Sequence, residues 1–263
     1  MAMGGVMKKL LIAGLVILLQ GCISRAPDQA GYAPRPVDTD VQARARIHAE
    51  LAAGYLELGS LGVALQEANE ALKADPKHVS AYNVLGLVYM ELNDDRAAES
   101  SFRRALQING MDSDTNNNYG WFLCQRKREK ESIQDFLDAL RNPLYTTQEK
   151  SWVNAGICSR QAGDLVNAED YFQRALKLRP NQPQALQQLA DITFKRNDFA
   201  GAKSFLARLQ RDATSQSVEV LWLALRVERR LGDRNAERSL AFQLQKNFPG
   251  SREARSLAEG IYE

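Results

Sequence analysis

From Ala45 onward the apolar residues of this 263-residue chain fall into short amphipathic stretches, spaced i, i+3, i+4 and i+7, that recur at a fixed interval. The pairs Leu51-Ala52, Leu85-Gly86, Tyr119-Gly120, Ala155-Gly156, Leu189-Ala190 and Leu223-Ala224 are separated by steps of 34, 34, 36, 34 and 34 residues. Twelve residues after each small residue stand Ala64, Ala98, Ser132, Ala168, Ala202 and Ala236. Four further on come Ala68, Phe102, Phe136, Phe172, Leu206 and Leu240, and three beyond those Ala71, Ala105, Ala139, Ala175, Leu209 and Gln243. The pattern predicts two short helices per unit. Small residues at the crossing let two backbones approach, and the large residue of the second helix fills the space beside them. Pro76 and Pro180 end the first and fourth units by removing a donor and clashing with the preceding turn, while Pro143 and Pro249 lie one residue off that register. The fifth and sixth units lack the aromatic, and the second has Gly110 where proline is expected. No such unit buries its apolar face alone, so neighbours must stack. Residues Ser251 to Tyr262 read as a last helix, with Leu257 and Ile261 facing back onto the sixth unit and Arg252, Glu253, Arg255 and Glu259 facing water.

This pattern resembles the tetratricopeptide repeat (TPR), over about 205 of the 263 residues. The resemblance implies an all-α fold: a right-handed superhelical solenoid of six helix-turn-helix repeats plus a C-terminal capping helix, filling residues 41–263. In that fold the first helices line a concave groove. The residues one turn around from the packing pairs are Asn83, Leu87, Met90, Asn117, Trp121, Val153, Ile157, Gln187 and Phe194, a mixture of apolar anchors and amides suited to a bound polypeptide. Large aromatics such as Trp121 are common binding hot spots. The alternative for several of these, Val153 and Ile157 above all, is packing between repeats.

The first residues have a different character. Met7 to Cys22 reads MKKLLIAGLVILLQGC: a basic start, then an apolar run from Leu10 to Leu19 that is shorter than the ~20 residues needed to span a bilayer. That describes a secretory signal peptide over residues 1–21. Its end, Leu19-Gln20-Gly21-Cys22, resembles the lipobox of bacterial lipoproteins, with Gln20 departing from the usual small residue. The resemblance implies cleavage before Cys22 and acylation of its thiol and amino group, an anchor worth about 0.8 kcal/mol per buried methylene. Ile23 and Ser24 follow the cysteine, not the aspartate of an inner-membrane retention signal, which favours the outer membrane. Residues 22–40 carry Pro27, Gly31, Pro34 and Pro36 with no periodicity and read as a disordered tether.

Composition adds constraints. A net charge of +2, with 25% charged and 44% hydrophobic residues, argues against a nucleic-acid binder. Only His48 and His78 are present, with no acid- or cysteine-rich neighbourhood, and no Gly-x-Ser-x-Gly elbow or phosphate-binding loop appears. An enzyme, a cofactor, a metal and a small-molecule substrate are therefore not expected. Asp94-Asp95 falls in a turn, where it is expected to cap a second helix. The run Arg126-Lys127-Arg128-Glu129-Lys130 and the arginines Arg226, Arg229, Arg230, Arg234 and Arg238 read as solvated faces or, alternatively, as contacts for an acidic partner or a lipid headgroup.

With Cys22 lipidated, Cys124 and Cys158 remain, an even pair in an oxidising compartment. They lie on neighbouring, roughly parallel first helices and differ by about 3 Å of rise. Axes about 8–10 Å apart bring such positions within disulfide reach. Two buried free thiols are the alternative.

The third repeat opens with Asp114-Thr115-Asn116-Asn117-Asn118-Tyr119-Gly120-Trp121-Phe122-Leu123-Cys124. A lipoprotein signal, a short tether, six repeats and this asparagine-rich segment together resemble the type IV pilus biogenesis and stability lipoproteins of the PilF/PilW type. That resemblance implies a pilotin-like outer-membrane lipoprotein facing the periplasm, expected to be monomeric. It would help the outer-membrane secretin to localise or multimerise, in support of pilus stability and twitching motility. The competing expectation is a periplasmic repeat scaffold for outer-membrane protein assembly or for the regulation of cell-wall enzymes.

Overall fold

The computed structural model describes residues 39–209 and 217–262. Among them are thirteen helices and no strand. Six hairpins follow one another: α1 (Asp40–Glu57) with α2 (Leu61–Ala74), α3 (Val79–Glu91) with α4 (Asp95–Ile108), α5 (Ser113–Gln125) with α6 (Glu129–Ala139), α7 (Gln148–Gln161) with α8 (Leu165–Leu178), α9 (Pro183–Lys195) with α10 (Phe199–Leu209), and α11 (Val218–Leu231) with α12 (Arg234–Asn247). The short α13 (Arg252–Ala258) closes the array. The signal segment, Cys22 and most of the expected tether lie outside the described residues. α1 starts at Asp40, the tether's last expected residue, whose carboxylate suits the positive end of the helix dipole.

Each hairpin turns on one residue in the left-handed region. These are Gly59, Asn93, Lys127, Gly163, Asn197 and Gly232, with φ between 58° and 82°. The following residue immediately precedes the second helix, and there the carboxylates of Asp94, Asp164, Asp198 and Asp233 accept from N–H groups of Ala97, Asn167, Gly201 and Ala236. Asp94 thus caps as expected, while Asp95 goes elsewhere, to a bidentate pair with Arg126 of the next repeat.

The turn residue stands seven places after the small residue in the first five repeats and eight after it in the sixth. That extra residue shifts the register of α12, so its buried positions are Glu237 and Leu244 in place of the expected Ala236 and Gln243. Glu237 tolerates burial because Arg229 and Arg234 pair with it at 2.8 and 3.2 Å. The same shift accounts for Pro249 standing one residue late.

Packing within a hairpin is reciprocal in size. A Cβ added at Gly86, Gly120 or Gly156 would lie 2.5, 3.0 or 2.6 Å from the ring of Phe102, Phe136 or Phe172. Where the second helix offers Ala68 or Leu206, alanine is tolerated instead, at Ala52 and Ala190 of the same clusters. First helices also pack against the first helices of adjacent repeats, α1 on α3 through to α9 on α11, and so form the inner layer of the TPR superhelix.

The last helix departs from expectation. α13 ends at Ala258, and Gly260 at φ +74° turns the chain away. Leu257 packs on Leu221, Leu244 and Ala254, but Ile261 is half exposed, and Tyr262 takes the inward place by stacking on Trp222 at 6.0 Å.

Candidate protein-interaction groove

On the inner layer of the first three repeats lies a cavity of about 710 Å³. Ala49, Ala53 and Leu56 of α1 form one wall, and Asn83 and Leu87 of α3 with Asn118 of α5 form the floor. Its charged rim is mostly acidic: Glu50, Glu57, Asp112 and Asp114 against Arg46 and Lys150. Partial burial and the neighbouring Asp112 push the Asp114 carboxyl up, with Lys150 opposing. The α1 wall is not among the groove residues expected from the repeat pattern, although the pattern carries its signal. Ala49, Ala53 and Leu56 each stand one 34-residue step before Asn83, Leu87 and Met90.

The asparagine-rich segment joins three repeats. Asn118 donates from Nδ2 to Asn83 Oδ1 at 3.1 Å and accepts from Asn117 Nδ2 at 3.3 Å. Asn117 Oδ1 in turn accepts from Ser151 Oγ at 2.9 Å and Asn154 Nδ2 at 3.1 Å. The result is one directional amide ladder across α3, α5 and α7. Asn116, buried, instead donates to the Gly110 and Asp112 carbonyls at 3.0 and 2.9 Å and fixes the loop that enters α5.

The other expected groove residues are not gathered in this cavity. Met90 packs on the Phe102–Phe122 cluster, which Leu87 also touches from the cavity floor, and Trp121 packs on Cys124, Phe136, Ala155 and Cys158. Val153, 1% exposed, is core between repeats, the alternative placement for it, and Ile157 leans on the same cluster. Gln187 is half-buried, and Phe194 is buried against Phe199. The two histidines have structural partners: His48 Nδ1 meets Glu67 at 2.6 Å, and His78 caps α3.

Tyr119, from the same segment and buried, points towards α4. Its hydroxyl donates to Glu99 at 3.0 Å and accepts from Arg103 Nε at 3.1 Å, and Arg128 reaches Glu99 at 3.0 Å. Burial pushes the Glu99 carboxyl up, but hydrogen bonds from Arg128 and Tyr119 outweigh it and leave the group below its usual range. Arg126 and Arg128 of the basic run are thus spent on Asp95, Glu99 and Glu131 inside the chain. Beside this network an outer cleft of about 540 Å³, with Leu106 and Leu123 at its base, is lined by Asp135. Burial, then Asp138 and Glu131, push the Asp135 carboxyl up to about 7.

Cys124 and Cys158 face each other across α5 and α7, with Cα atoms 5.8 Å apart and sulfurs at bonding distance. This junction carries the irregular 36-residue step and adjoins the amide ladder. At the other end of the array, α1 exposes an apolar stripe with no counterpart in the sequence reading. Ile47, Leu51 and Leu58 are 49, 43 and 77% exposed and surround a recess of about 440 Å³ with Tyr55 and Gly54. The counterparts of Leu51 in the later repeats, Leu85, Tyr119, Ala155, Leu189 and Leu223, are buried, and before α1 there is no preceding repeat among the described residues.

Profiles of the tetratricopeptide repeat match residues 50–114, 130–183 and 159–220. The type IV pilus assembly protein PilF of Pseudomonas aeruginosa is 28% identical, over 92% of this chain and 94% of its own. A structure of P. aeruginosa PilF matches with a TM-score of 0.78 and 27% identity, and the crystal structure of PilW, a type IV pilus biogenesis factor, with 0.74 and 33%. The chain belongs to the PilF/PilW family of type IV pilus TPR proteins. Both PilF and PilW structures are matched over their full length, by 84% of this chain, so the family shares the whole array of repeats. A lower likeness, 15% identity at a TM-score of 0.57, to YrrB, a TPR protein with an unusual peptide-binding site, concerns the fold alone.

Proposed function

We propose that this chain is a lipid-anchored outer-membrane protein, tethered through Cys22 and facing the periplasm, that binds the type IV pilus secretin and assists its localisation or multimer assembly. The observation that carries the reading is the full-length likeness to PilF and PilW. Two surfaces support a scaffold role. The inner cavity offers apolar walls and amide groups, and the stripe on α1 leaves large apolar side chains in water, as docking faces do. The acyl chains on Cys22 supply the membrane affinity in this reading.

The test is complementation of a deletion strain with Cys22→Ser. The variant is expected to leave the outer-membrane fraction and to lower the amount of secretin multimer, while its repeat domain still folds. Wild-type fractionation would refute the anchor, and wild-type multimer levels in the deletion strain itself would refute the secretin role.

A further inference from the structure

The last repeat holds a basic, aromatic-walled recess that the groove does not include. Three arginines of α11 each lie over a ring from another part of the chain. Arg226 is 4.6 Å from the Phe194 ring of α9, Arg230 5.4 Å from Phe199 of α10, and Arg229 3.7 Å from Tyr262. Between them opens a space of about 350 Å³, walled by Phe194, Ile261 and Tyr262. A guanidinium stacked on a ring is held in one plane and keeps its N–H edge for a planar acceptor, which matches a carboxylate.

Three carboxylates of the last repeat, on α11, its turn and α12, are committed. Glu237 pairs with Arg229 and Arg234 at 2.8 and 3.2 Å, Glu228 with Lys203 at 2.8 Å, and Asp233 caps α12. Arg230 forms no ion pair among the described residues. An oriented cation therefore stands at an apolar recess without an anion of its own.

We propose that this recess is a second docking site, which receives an acidic segment of a partner protein, a carboxylate held by Arg230 and an adjacent apolar side chain seated on the half-exposed Ile261. A flat array of lipid headgroups would meet the arginines but would not fill a walled recess, so the peptide is favoured. The inference stands independently of the secretin reading.

The test uses the mature full chain and two fluorescein-labelled peptides, acetyl-Glu-Leu-Glu-Trp-Glu-amide and its glutamine counterpart, read by anisotropy. The acidic peptide is expected to bind at least about tenfold more tightly than the neutral one, with affinity falling as salt rises. R230Q, an exposed change that keeps the side chain's stem, is expected to weaken acidic-peptide binding about tenfold at an unchanged melting temperature. K246Q, an equal loss of charge elsewhere on the last repeat, is expected to bind as wild type. Equal affinity for the two peptides, no binding of the acidic peptide up to millimolar concentration, or an R230Q chain that binds as wild type would each overturn the proposal. So would phosphatidylglycerol vesicles that bind in an Arg230-dependent way while the peptide does not, since that result assigns the site to headgroups.

Discussion

Asp135 shows how one side chain can work against the fold that contains it. Its carboxyl lines the outer cleft with no hydrogen-bond donor among the described residues, and it sits near 7, far above the ~3.9 of an unfolded chain. A folded value above the unfolded one means that ionisation costs folding energy. The cost is absent below about pH 4, grows as pH rises towards 7, and is constant above that. Asp135→Asn removes it. The variant is expected to exceed wild type by about 1–2 kcal/mol at pH 8, after allowance for solvent screening, and to match it at pH 3.5. Urea unfolding at the two pH values checks this, and a difference independent of pH would assign the effect to packing. Lys127 is a second local cost. It holds φ 60°, where the other five turns use glycine or asparagine, residues that tolerate the left-handed region. In the sequence Lys127 looks like one more charge in a basic run. Its role as a turn residue appears only when the six turns are aligned by geometry.

At the level of elements, the junction of α5 and α7 concentrates constraint: the amide ladder, the longer connection after α6, and Cys124 opposite Cys158. A bond between these sulfurs closes a loop with a sequence separation of 34. On the chain-entropy model it stabilises by roughly 3–4 kcal/mol. Protein exported to the periplasm is expected to show no alkylatable thiol before reduction, and to lose stability of that order on reduction or in a Cys124→Ser/Cys158→Ser double variant. Two free thiols in never-reduced protein would rule the bond out. The helices themselves were legible because a 34-residue period repeats the same steric problem six times. Gly86 with Phe102 states it as clearly as Gly156 with Phe172. What the period hid was any break in it. The extra residue before Gly232 moved burial from Gln243 to Leu244, and Gly260 stopped the last helix before Ile261. The groove was only partly legible, because Val153 and Asn117 hold related places on first helices yet one is core and the other a ladder rung. A helical repeat tells which face a residue is on but not how far the neighbouring repeat covers it.

Across the array of repeats the two ends differ: α13 closes the sixth repeat, and no described residue covers the apolar stripe of α1. If that stripe contributes to holding the secretin, Leu51→Glu is expected to reduce secretin co-purification about tenfold with little change in melting temperature, because Leu51 is 43% exposed and supports little of the core. Unchanged co-purification would move the contact to the inner cavity. The reciprocal glycine–phenylalanine pairs also bear on how such a chain can be inherited. Each pair lies within one hairpin, so a crossover in the connections at residues 75–78, 109–112 or 179–182 passes on both partners intact. A crossover at the left-handed turns is neutral among the second, third and fourth units, whose pairs are alike, but elsewhere it sets Ala52 or Ala190 against a phenylalanine, which collides, or a glycine against Ala68 or Leu206, which leaves a void. On this steric ground recombination can exchange whole hairpins between any units, but halves only between units with the same pair. The third hairpin is the least exchangeable of the six, because Asn117 and Asn118 bind it to the hairpins on both sides.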